Sequence, residues 1–173
     1  MIRSFKGKTP KIHPTAFISE TAYIVGDVEI GEYASVWPGA IIRGDFGKIT
    51  IGKNTAIEDN CVVHSWDLVI GDNVLVGHGA VIHCKSIGNG SMIGINAVVL
   101  QNVEIGEKCF IAAGALITPN KKIPAKFMVM GSPASVKEQL SDEKQAQIIF
   151  GNDAYVRLGQ EYKEHGMGDL SVK

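Results

Sequence analysis

Three of the five histidines, His64, His78 and His83, fall within twenty residues of one another. Imidazole is the commonest metal-binding side chain, and three imidazoles plus a water make the open coordination sphere of catalytic zinc sites. An ion held in that way lowers the pKa of its water to about 7 and generates a hydroxide nucleophile. Arg43, Asp45 and Asp59 lie just upstream. A guanidinium can offset negative charge that develops in such an attack. Carboxylates can orient it and the imidazoles. Intervals of 21, 14 and 5 residues separate Arg43, His64, His78 and His83. Only a regular scaffold can bring side chains so unevenly spaced together.

Such a scaffold is written in the chain. Ile or Val recurs every six residues at Ile12, Ile18, Ile24, Ile30, Val36 and Ile42. The register skips nine residues to Ile51, Ile57 and Val63, then seven to Ile70, Val76 and Ile82. A five-residue step leads to Ile87, and the period then runs unbroken to Val129. A small residue often follows four positions later, as at Ala16, Ala34, Cys61, Ala80 and Ala97. Six is neither the helical period of 3.6 nor the strand period of 2. It suits a short strand plus a turn, with one β-branched side chain per unit pointing inward. Three units close a triangular coil, and about 20 units give six to seven coils stacked at the roughly 4.8 Å spacing of paired strands. The expected fold class is an all-β solenoid, a parallel β-helix, over residues 1–133.

After Gly131-Ser132-Pro133 the period stops. Ser141, followed by Asp142 and Glu143, reads as a helix N-cap with an acidic first turn. Ile148, Ile149, Tyr155, Val156 and Tyr162 form a helical stripe, weakened by Gly151. The second segment, 134–173, is therefore expected to hold a C-terminal α-helix over 142–164 and a frayed tail at 166–173.

The repeat places the polar residues. Arg43, His64 and His83 each follow an inward residue by one position, after Ile42, Val63 and Ile82. They form one column on three successive coils. His64 and His83 are then about 5 Å apart, close enough to share one ion. Asp59 and His78 each stand two positions after theirs, Ile57 and Val76, and form a second column one unit earlier. His78 is therefore expected on another side of the prism, from which it could reach the same ion across a subunit boundary. Trp37 shares the offset of the first column, one unit earlier.

Composition narrows the classes. Lys+Arg is 17 and Asp+Glu is 18, so no basic excess marks a nucleic-acid or membrane-surface binder. No apolar run is long enough to cross a bilayer, and MIRSFKGKTPKIHPTAF lacks the apolar core of a secretory signal. Three cysteines are too few for a disulfide framework, so a cytoplasmic setting is expected. Cys61 and Cys109 sit at small inward positions, and Cys84 adjoins His83 as a candidate redox residue. Walker, Gly-x-Ser-x-Gly and zinc-ribbon motifs are absent from the sequence.

Arg43-Gly44-Asp45, Ile57-Glu58-Asp59, Val63-His64, Gly77-His78, Ile82-His83 and Gly131-Ser132-Pro133-Ala134 together resemble the γ-class carbonic anhydrases, left-handed hexapeptide-repeat β-helices. The resemblance spans almost the whole chain. It implies a homotrimer with intersubunit metal sites, His64 and His83 from one chain binding the ion with His78 of its neighbour. Zn2+ is the simplest ion, with Fe2+ or Co2+ as alternatives. The implied reaction is attack of a metal-bound hydroxide on CO2 to give bicarbonate. Arg43 and Asp45 would form an intersubunit ion pair lining the site, Asp59 would join the polar shell, and Tyr155 resembles a C-terminal tyrosine that reaches it. There are departures. Glu58 stands where the family often has Gln, and Phe46 stands where the most active type has Glu. Only Ser65-Trp66-Asp67-Leu68-Val69 replaces that type's long acidic loop. Two further classes share the scaffold: an acyltransferase or acyl-CoA thioesterase, and a non-catalytic trimer with a structural metal.

Overall fold

The computed structural model describes residues 1–168. Most strands are two residues long, one per repeat unit, and they stack as three faces of a prism of about seven turns. The inward residues form three ladders. One runs through Ile42, Val63, Ile82, Val99 and Ile117. A second runs through Ile18, Val36, Ile57, Val76, Ile93, Ile111 and Val129. The third runs through Ile30, Ile51, Ile70, Ile87, Ile105 and Ile123. All of these are buried, and Ile12, at the open first coil, is partly buried. Each inward side chain contributes roughly 1.5–3 kcal/mol through burial.

The register breaks do not interrupt the ladders. The nine-residue step is one long strand, Ile41–Ile51, that turns a corner alongside Tyr23–Ile30. Two faces thereby become one twelve-stranded sheet, while the third face is a separate eight-stranded sheet. The corner needs glycine. Gly26 has φ +84°, and a Cβ on it would fall 2.3 Å from the Gly44 carbonyl oxygen.

Residue 133 falls inside a hairpin. Ala134–Gln139 returns antiparallel along Phe127–Gly131, so the second segment begins as a strand of the same sheet. The helix runs Asp142–Glu164, and the Ser141 hydroxyl accepts from the Lys144 amide at 3.2 Å. It covers the eight-stranded face: Gly159 lies close to Ser35 and Phe17, and Asn152 donates from Nδ2 to the Asn54 carbonyl at 2.8 Å. Ile148 is buried, but Ile149, expected in the stripe, is 47% exposed. Residues 165–168 form a turn, with the Gly168 amide donating to Glu20; the rest of the expected frayed tail lies outside the described residues. Among the described residues, no helix is long and apolar enough to cross a membrane.

Candidate functional site

The ladder that pairs Ile42 with Val63 also pairs Arg43 with His64, and Val63 with Ile82 brings His83 beside them. The rings of His64 and His83 lie 5.4 Å apart. The nine-residue strand carries Asp45 back toward the same edge. Asp45 Oδ1 is 3.0 Å from His64 Nε2, and Asp45 Oδ2 is 3.4 Å from Arg43 Nε. Arg43 Nη2 is 3.3 Å from the same His64 nitrogen. One ring nitrogen cannot serve both. Protonated it donates to Asp45; deprotonated it accepts from Arg43. Burial, and then the Arg43 guanidinium, hold His64 below the ordinary imidazole range, against the opposing pull of Asp45. The Arg43–Asp45 ion pair closes within one chain, whereas the family resemblance implies a pair across a subunit boundary.

His78 stands on the neighbouring ladder with Glu58 and Asp59, and Tyr155 reaches it from the helix. Its Nδ1 is 2.9 Å from Asp59 Oδ2, and its Nε2 is 3.0 Å from Glu58 Oε2. The same Glu58 oxygen accepts from the His78 backbone amide at 2.9 Å. Burial raises the Glu58 carboxyl above its usual range, opposed by His78. Tyr155 Oη is 3.4 Å from His78 Nε2. Burial, then Glu58, push the Tyr155 phenol up to about 12.

Sequence spacing finds both columns but misses what supports them. Trp37, marked only by its offset, is buried and holds Tyr155 edge-on at 5.4 Å and Tyr162 at 5.1 Å. Its indole donates to Ser35 Oγ at 2.9 Å. Asp67 accepts from the Lys48 amide at 2.9 Å, which makes it a turn-fixing side chain. Cys84 points into the prism, with its thiol pushed up to about 12 by burial, and so departs from the redox role considered for it. Among the described residues, no three His, Cys, Asp or Glu side chains of one chain are placed to hold a metal ion together.

Stacked six-residue units with a C-terminal helix define a hexapeptide-repeat protein. A family model described as bacterial transferase hexapeptide (six repeats) matches residues 9–44 and 85–119. Gamma carbonic anhydrase 2, mitochondrial, of Arabidopsis thaliana is 35% identical over 162 residues, covering 88% of this chain and 58% of that protein. Carnitine operon protein CaiE of a Proteus species is 36% identical over 145 residues, covering 82% of this chain and 74% of that protein. The crystal structure of a hexapeptide transferase family protein from Anaplasma phagocytophilum superposes with a TM-score of 0.91 at 35% identity, covering 94% of this chain and 98% of that one. The chain belongs to the hexapeptide-repeat family of parallel β-solenoid proteins.

Proposed function

We propose that the protein is a metal-dependent enzyme of γ carbonic anhydrase type, reversibly hydrating CO2 to bicarbonate at sites shared between the subunits of a homotrimer. The observation that carries this reading is the split of the site. His64 and His83 share one edge with Arg43 and Asp45, while His78 stands apart with Glu58, Asp59 and Tyr155. A second copy of the chain supplies the third imidazole. The outward row Ile41, Val62, Val81 and Val98, aligned with the first edge, supports contact with that copy.

The donors fit zinc, and equally iron(II) or cobalt(II), because neutral imidazole is what these ions bind and burial favours the neutral form of His64. When bound, such an ion acidifies a water and so supplies the nucleophile. The remaining work belongs to this chain's side chains. Arg43 holds the bicarbonate oxygens and offsets their charge. Asp45 orients both Arg43 and His64. Asp59 sets the His78 ring through Nδ1, Glu58 fixes its backbone, and Tyr155 adds a hydroxyl beside it. Asp67 accepts the Lys48 amide and fixes the turn.

Stopped-flow CO2 hydration, on protein reconstituted with zinc and anaerobically with iron(II), tests the reading. The expected result is turnover that vanishes in His78→Ala and rises with added imidazole buffer, because no dedicated base carries the proton away. No turnover in protein carrying one metal per chain would sink the assignment.

The Asp59–His78 pair favours a second reading, acyl transfer or thioester hydrolysis with His78 as general base. The transferase-named relative supports it. It predicts acyl-CoA turnover that survives chelation and is lost in Asp59→Asn.

A further inference from the structure

Beside the imidazole pair lies an aromatic surface with no part in the roles above. The rings of Phe46 and Trp66 stack 5.1 Å apart and 22° from parallel. Phe46 is 58% exposed and Trp66 66%. Phe46 also meets the His64 ring at 4.9 Å, so this surface runs without a break into the His64–His83 edge. It is held rigidly. A Cβ on Gly47 would fall 1.0 Å from the Trp66 carbonyl oxygen, so only glycine lets the two backbones touch here. Buried Ser65 donates to the Cys84 carbonyl at 2.8 Å, and Asp67 accepts from the Lys48 amide at 2.9 Å. A ligand would meet rings already in place and lose little of its binding energy to ordering them.

We propose that the Phe46–Trp66 stack seats the planar tail of a small carboxylate whose head lies at Arg43 and the His64–His83 pair. Stacked rings with open faces favour a flat apolar partner. The half-exposed Arg43 side chain supplies the positive charge that a carboxylate head needs. A phosphate-bearing ligand fits worse. The adjoining recess of about 380 Å³ is lined by Lys6, Lys8 and Lys48, and Lys8 pairs with Asp27 at 3.2 Å and Lys48 with Glu29 at 2.8 Å. Asp27, Asp45 and Asp67 line the same recess and balance the three lysines. The inference rests on the His64–His83 edge being the reacting site.

Trp66 reports on its own seat, because the other tryptophan, Trp37, is buried. The experiment is a titration of the full chain with benzoate and with acetate, which has the head without the ring. Trp emission and calorimetric affinity are read together, and the metal content of the same sample is measured. Benzoate is expected to give a saturable emission change that is absent in Trp66→Ala. It should bind at least about tenfold more tightly than acetate, the size of a good aromatic contact. Phe46→Ala should remove that preference and leave acetate affinity unchanged. Equal affinities in protein that carries its metal would overturn the proposal while leaving the metal reading intact. A retained preference in protein that binds no metal would support the seat and count against the metal reading instead. If acrylamide cannot quench Trp66 in the ligand-free protein, a second copy of the chain covers the rings, and the proposal fails.

Discussion

Cys84 follows His83 in sequence yet faces away from it, turned inward at the bend after the strand Val81–Ile82. His83 lies on the outer surface, and Cys84 is fully buried in the prism with Cys61. Burial pushes both thiols up to about 12. A thiol whose pKa rises on folding stabilises the fold only while it stays protonated. That contribution is complete below the usual value near 9 and fades as the pH climbs from 9 toward 12. Iodoacetamide at pH 8 should therefore leave Cys61 and Cys84 unmodified in native protein and label both after unfolding in urea, as read by mass spectrometry. Labelling of either in the folded protein would contradict this account. At the same scale, Arg43, His64 and His83 were legible because each follows an inward residue by one position, and the repeat converts offset into place. The Phe46–Trp66 contact was not. Both residues lie in register breaks, where the period says nothing about where a ring points. Glu58 likewise stands out in sequence only as a departure, and its bond to the His78 amide emerges from the coil geometry.

The C-terminal helix shows how much an element depends on contacts that local sequence does not announce. Its start was legible from Ser141 and the two acidic residues behind it. Its seat was not, because the residues that fix it are polar or lack a side chain. Asn152 is 1% exposed and binds a carbonyl 98 positions away. Gly159 allows the close approach to Phe17 and Ser35. Ser141→Ala should lower stability by about 1 kcal/mol in chemical denaturation, the usual worth of a capping hydroxyl. Asn152→Ala should cost about 1–3 kcal/mol, because it leaves the part-buried Asn54 carbonyl without its donor. The helix also carries Tyr155, so Asn152→Ala should reduce turnover along with stability. Unchanged turnover would mean that Trp37 alone suffices to place the phenol.

The molecule as a whole has three unequal faces. The helix covers one. Another carries alternating charge, with Lys11 and Lys48 on Glu29 and with Lys85 and Lys122 on Glu104. The third presents Ile41, Val62, Val81 and Val98 outward, beside the imidazole pair. The six-residue period made the solenoid legible because it records inward positions. It is silent on outward ones, where the three faces differ. Val81→Lys should leave the circular dichroism spectrum intact and reduce the native mass to that of a single chain, measured by light scattering. A mass that does not change would place any subunit contact elsewhere. The ladders have one more consequence, for how such a chain can change length. Each coil touches only its neighbours, and the imidazoles lie between Ile57 and Ile87. Beyond Ile87 the strands act as a ruler graduated in whole turns. Removing eighteen residues there would shift everything downstream by one graduation and leave every outward residue outward. Removing six would rotate the remainder by a third of a revolution and carry the helix to the wrong wall. Insertions and deletions in this fold therefore have a reading frame, and it is three units long.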